Sequence, residues 1–161
     1  MSARAILFAV LAVLAACSPM TADAGQKAAA TAPARHPASG LAVVPLTIVS
    51  TNGRHAFRVE VARSEPEQAK GLMFRTAMGA NEGMIFPMEP ARQASFWMKN
   101  TVISLDLVFI GPDKRIESIA ANAVPYSLSP IGSRGGVSAV LELNAGRAAQ
   151  LGLAVGDRVE W

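Results

Sequence analysis

The chain has 161 residues, 15 Lys/Arg against 12 Asp/Glu, a formal charge of +3 and 51% hydrophobic residues, which is one domain's worth of sequence with enough apolar content for a core. One cysteine and two histidines leave no disulfide and too few ligands for a conventional zinc or haem centre, so neither a metal nor a cofactor is expected. From Leu41 onward twelve Lys/Arg meet eleven Asp/Glu, a balance that gives no basic stripe for a phosphate backbone and argues against nucleic acid as a partner.

The amino terminus carries Arg4, then about ten apolar residues from Ala5 to Leu14, then Ala15-Ala16-Cys17. That stretch is shorter than the roughly 20 apolar residues a spanning helix needs. It resembles the lipobox of bacterial lipoproteins, which implies that residues 1–16 are a signal peptide and that Cys17 is lipidated and anchors the protein to a membrane. Two or more acyl chains make such an anchor stable. Ser18 stands where an Asp would resemble an inner-membrane retention signal, so the periplasmic face of the outer membrane is favoured where the cell has two membranes. Residues 17–40, rich in Ala and containing Pro19, Pro33 and Pro37, are expected to be a flexible tether with a coil reach of about 25 Å.

Residues 41–161 are expected to form a single domain. Leu41–Ser50 and His55–Val61 are β-rich runs separated by Asn52-Gly53, the signature of a hairpin. Ser64-Glu65-Pro66-Glu67 has the form of a capping box and predicts a helix reaching about Phe74, with Ala69, Leu72 and Met73 as its buried stripe. Short strands are expected at Met84–Pro87, Ser95–Lys99, Leu105–Ile110, Arg115–Ala120 and Val137–Leu143. Asn144 is placed to cap a short helix, Arg147–Leu151, which Gly152 ends before a last strand at Asp157–Trp161. The fold class expected is α+β: a curled or barrel-like, mostly antiparallel sheet with two short helices.

Three charges interrupt apolar runs: Lys99 in Phe-Trp-Met-Lys, Asp106 in Leu-Asp-Leu, and Glu142 in Leu-Glu-Leu. Strand alternation could turn each toward solvent. If instead they are partly desolvated, opposite charges must meet, which would draw Lys99 and Arg75 toward Asp106 or Glu142 in one cluster beside Trp97. The run of Met73, Met78, Met84, Met88 and Met98 offers thioethers suited to Cu(I), although core filling explains it more simply. Gly132–Gly136 lacks the lysine of a phosphate-binding loop, and a Ser-His-Asp triad would have to recruit His55 from beside a turn.

The segments Gly71-Leu72-Met73-Phe74-Arg75, Gly83-Met84-Ile85-Phe86, Phe96-Trp97-Met98-Lys99-Asn100-Thr101, Leu105-Asp106 and Leu141-Glu142-Leu143-Asn144-Ala145-Gly146 resemble, in order and spacing, the motifs of the domain of unknown function 192 family. The resemblance implies a domain without supplying a reaction. The expected function is a membrane-anchored envelope module that binds a small polar or anionic ligand or acts as a scaffold. Its ligand-binding residues would be Arg75, Trp97, Lys99, Asn100, Asp106 and Glu142. The alternative is an enzyme using Asp106 or Glu142 as base with Lys99 as electrostatic helper; protein partners are not readable.

Overall fold

A computed structural model describes residues 34–161; the expected signal peptide, Cys17 and the expected tether up to residue 33 lie outside the described residues. Elements follow in chain order as β1 (Val43–Ser50), β2 (Gly53–Val61), α1 (Glu65–Lys70), β3 (Glu82–Phe96), β4 (Leu105–Ile110), β5 (Ile116–Ala123), β6 (Ile131–Asn144), α2 (Arg147–Leu151) and β7 (Arg158–Glu160). They form one seven-stranded sheet in the order β5-β4-β6-β3-β2-β1-β7. Every neighbouring pair is antiparallel except β2–β3, which is parallel, so the sheet is mixed and the class is α+β.

The sheet curls until its edges touch. The Ile116 N–H donates to the Asp157 carbonyl at 2.9 Å and the Val159 N–H to the Lys114 carbonyl at 2.8 Å, so two otherwise unpaired edges satisfy each other at one end. Inside the curl, Leu46, Ile48, Phe57, Val59, Ile85, Val108, Ile110, Leu141 and Val159 form one core. Alternation puts the other face of β3, β4 and β6 outward, yet Met84, Phe86, Leu105, Leu107, Phe109 and Val140 on it are also buried. The segment after β2 and the loop after β3 cover them, bringing in Leu72 and Met98.

Local chemistry explains both agreements and differences. The hairpin forms with Ser50 opposite Gly53, so the turn residues are Thr51-Asn52, one position earlier than expected, and Gly53 opens β2 at φ 129°. The capping box is present: the Glu67 amide donates to Ser64 Oγ, and Glu67 Oε2 accepts from the Ser64 and Arg63 amides, both at 2.8 Å. Those amides, Ser64 first, hold the Glu67 carboxyl below its usual range. The helix stops at Lys70 and not near Phe74, because Gly71 takes φ 47°, ψ −133°. A β-carbon there would stand 3.3 Å from the Phe86 ring. Consequently Ala69 is exposed, and Leu72 makes its apolar contacts from a turn. Residues 34–42 are also not free tether: the Val43 N–H donates to the Ala34 carbonyl at 2.7 Å and the His36 N–H to the Leu41 carbonyl at 2.8 Å.

Candidate functional site

The three charges that interrupt apolar runs go to three different places. Asp106, fully buried on β4, faces the same side as Val108 and Ile110. Its Oδ1 accepts from the Asn122 and Gly146 amides at 2.9 and 3.0 Å, and its Oδ2 from the Ala148 amide at 2.9 Å. It therefore caps α2 from a neighbouring strand, which α2 needs because Gly146 sits at its N-cap with φ 78° and no side chain to offer. Asn144, expected in that role, instead donates to the Met78 and Gly79 carbonyls at 2.9 and 3.1 Å. With its oxygens held by three backbone amides, Asp106 joins no cluster with Lys99 or Arg75.

Arg75 is committed elsewhere. Its two terminal nitrogens donate to Glu60 Oε1 at 2.8 Å and Oε2 at 3.1 Å, a bidentate pair with both side chains largely buried. Ser39 Oγ donates a short bond to the same carboxylate, and His36 Nδ1 lies 3.7 Å from it. Glu60, His36 and Ser39 were missed by the sequence reading. Glu60 was within reach of it, since Val59-Glu60-Val61 repeats the pattern that singled out Glu142. His36 and Ser39 lie in the stretch assigned to tether and had no strand pattern to mark them.

Glu142, on β6 between Met84 of β3 and Leu107 of β4, is 5% exposed. Its backbone is crowded: a β-carbon at Gly83 would stand 2.6 Å from the Glu142 carbonyl oxygen, so only glycine fits there. Among the described residues its carboxyl has no ion-pair partner, and burial alone pushes it up to about 8. It lies in the wall of a cavity of about 380 Å³. Leu72, Met88 and the edge-to-face pair Phe86–Phe96, with centroids 5.0 Å apart, supply apolar walls. Lys70, Arg92 and Lys99 contribute cations and Trp97 an aromatic.

Lys99 Nζ lies 5.1 Å from the centroid of the half-exposed Trp97 ring and, among the described residues, pairs with no carboxylate. The expected strand through Lys99 ends at Phe96, and Lys99 and Asn100 occupy a turn with Asn100 at φ 55°. Trp97 and Lys99 are out and Met98 is buried, as alternation would place them, and the pattern breaks only past the turn, where Thr101 is buried. Asn100 does not line the cavity; its Nδ2 faces Met73 Sδ at 3.8 Å and its carbonyl accepts from the Phe74 amide at 2.9 Å. Of the six expected ligand residues, Trp97, Lys99 and Glu142 line the cavity, whereas Arg75, Asn100 and Asp106 do not. Met84, Met88 and Met98 are packed in the outer core, and among the described residues no group of three or more His, Cys, Asp or Glu side chains converges.

The domain of unknown function 192 model, described as an uncharacterized ACR, matches residues 47–161. A crystal structure of a protein of unknown function from Novosphingobium aromaticivorans DSM 12444 superposes with a TM-score of 0.79 at 58% identity, over 82% of this chain and 94% of that one. A second, from Sinorhizobium meliloti 1021 and described provisionally as a transcription regulator, gives 0.73 at 40% identity, over 74% and 94%. No curated protein matches the chain at a significant level.

Proposed function

The chain belongs to the domain of unknown function 192 family, and on that premise we propose that its domain is a small-ligand binding module, held in the bacterial envelope by lipidated Cys17, with the Glu142 cavity as its ligand site. The observation that carries this reading is Glu142: a buried carboxyl without an ionic partner among the described residues, set in the wall of a concave space of ligand size. Burying such a group costs free energy unless something completes its bonding, and a ligand oxygen would do so. Titrating at about 8, Glu142 is mostly protonated at neutral pH and donates a hydrogen bond. Lys70, Arg92 and Lys99 then favour an anionic group at the mouth, and Phe86, Leu72 and Met88 an apolar body.

The test uses the dye anilinonaphthalene sulfonate, an apolar anion of this kind. One saturable site on the full chain, lost when Ser95→Trp fills the cavity, supports the reading. No saturable site, or a site indifferent to Ser95→Trp, overturns it. The regulator description of the Sinorhizobium protein is not carried over, because α1 and α2 span only six and five residues and give no recognition helix.

The enzymatic reading draws on the same residue, since a carboxyl titrating at about 8 exchanges protons near neutral pH. Asp106 has no free oxygen for that work. Glu142→Gln separates the two: binding survives it in the first reading, and turnover is abolished in the second.

A further inference from the structure

Eight large hydrophobic side chains are exposed among the described residues, and six of them, Phe74, Trp97, Val102, Val124, Tyr126 and Leu128, lie on three loops at residues 71–78, 97–104 and 124–130. These loops are joined side by side. The Phe74 N–H donates to the Asn100 carbonyl at 2.9 Å, the Met98 N–H to the Ser127 carbonyl at 2.9 Å, and the Tyr126 N–H to the Thr101 carbonyl at 3.2 Å. Phe74 and Tyr126 take φ of 64° and 61°, a left-handed backbone that bulky residues seldom adopt, so the loop geometry is maintained although the side chains it presents have no cover. Apolar surface gathered in this way marks an interaction face.

We infer that these three loops are a membrane-docking face that rests at the headgroup level of an anionic phospholipid bilayer. Two features name the bilayer as occupant. The three loops hold no acidic residue; Arg75 is committed to Glu60, but the exposed Lys99 and, beside Phe74 in one concavity, Lys70 supply cations, which suits anionic headgroups, while Trp97 and Tyr126 are of the type that settles at the water–lipid boundary. The second is where the described chain begins. His36 Nε2 lies 3.4 Å from Arg75 Nη1, and Ala38 and Ser39 line one concavity with Met73 and Phe74. The described chain thus begins, at Ala34, two residues from a side chain that touches this face, and Cys17 stands 17 residues before it. The inference rests on the lipid anchor of the preceding reading, and an anchor plus an interfacial patch is the two-signal arrangement that gives firm attachment.

The test reconstitutes the mature, lipidated chain carrying Trp161→Phe, so that Trp97 is the sole tryptophan, in vesicles of phosphatidylethanolamine and phosphatidylglycerol with brominated acyl chains. The expected result is co-flotation with a blue-shifted, quenched Trp97 emission, the quenching lost in Phe74→Ser/Tyr126→Ser/Leu128→Ser while flotation persists. Flotation without quenching overturns the docking face and leaves the anchor standing. Failure to float overturns the anchor and the face that rests on it. Emission that changes with protein density in the vesicle, and not with bromination, assigns the face to a second copy and overturns the bilayer.

Discussion

Glu60 and Glu142 stand in one row on the same face of the sheet, on either side of Met84: Glu60 opposes Met84 across the parallel pair, and Met84 opposes Glu142 across the antiparallel one. Two strand spacings put their backbones about 10 Å apart. Glu60 receives both arms of Arg75 and the hydroxyl of Ser39, while Glu142 receives no ionic partner among the described residues and borders a cavity. Identical acids in equivalent strand positions thus end as a closed ion pair and an open, protonatable group. The difference comes from what covers them. Residues 34–42 and the Arg75 turn close over β2, whereas the Gln68–Met73 segment and the Trp97–Lys99 loop leave a gap above β6.

Removing the cover from Glu60 should give the largest effect. Arg75→Met leaves a buried carboxylate with its charge uncompensated, and breaking a pair of this kind costs about 3 to 5 kcal/mol, read as a lower urea midpoint at unchanged slope. Glu60→Gln added to Arg75→Met should recover much of the loss, since the stranded charge is then gone. A single variant costing under about 1 kcal/mol would make the pair equivalent to a surface contact and erase the contrast with Glu142.

The contrast sharpens with pH. The folded protein holds the Glu142 proton more tightly than the unfolded chain, whose glutamates titrate near 4.5. Its contribution to stability is therefore complete below about pH 4.5, shrinks as pH rises through the window, and is gone above about 8. The shift sets a ceiling near 5 kcal/mol, and solvent screening through the adjoining cavity lowers the expected change to about 2 kcal/mol. Glu142→Gln should match the unaltered chain near pH 4 and exceed its stability near pH 9. Parallel stability-against-pH curves for the two proteins would show that the carboxyl is solvated in the folded state.

The strands, the hairpin, the capping box and α2 were legible because each rests on residues close in sequence: Ser64 with Glu67, Ser50 with Gly53, Gly152 at the end of Leu151. Buried acids were legible too, as charges inside apolar runs. What the sequence could not show was which partner each acid meets. Asp106 is satisfied by amides 16 to 42 residues away and Arg75 by an acid 15 residues back, choices made by loop closure and not by strand alternation. The mixed pairing of β2 with β3 was hidden for the same reason, since the crossover through α1 has only six helical residues to announce it. Lys99 stands at the surface, the outcome alternation allowed, and it is the cluster drawing it toward a buried acid that fails, on a turn with Asn100 at positive φ.

Lys99 gives the smallest and most discriminating effect. Had Lys99 been the partner of a buried acid, Lys99→Met would cost about 3 to 5 kcal/mol. In the structure its ammonium stands over an exposed Trp97 face with no carboxylate beside it among the described residues, and a cation–π contact in water is worth about 0.5 to 1 kcal/mol. The expected loss in urea denaturation is therefore below about 1 kcal/mol, while dye binding at the cavity weakens because one of the cations at its mouth is gone. A loss of the larger size would bring Lys99 down onto Glu142, closing that acid as Arg75 closes Glu60. The cavity would then be a second structural ion pair with no room for a ligand.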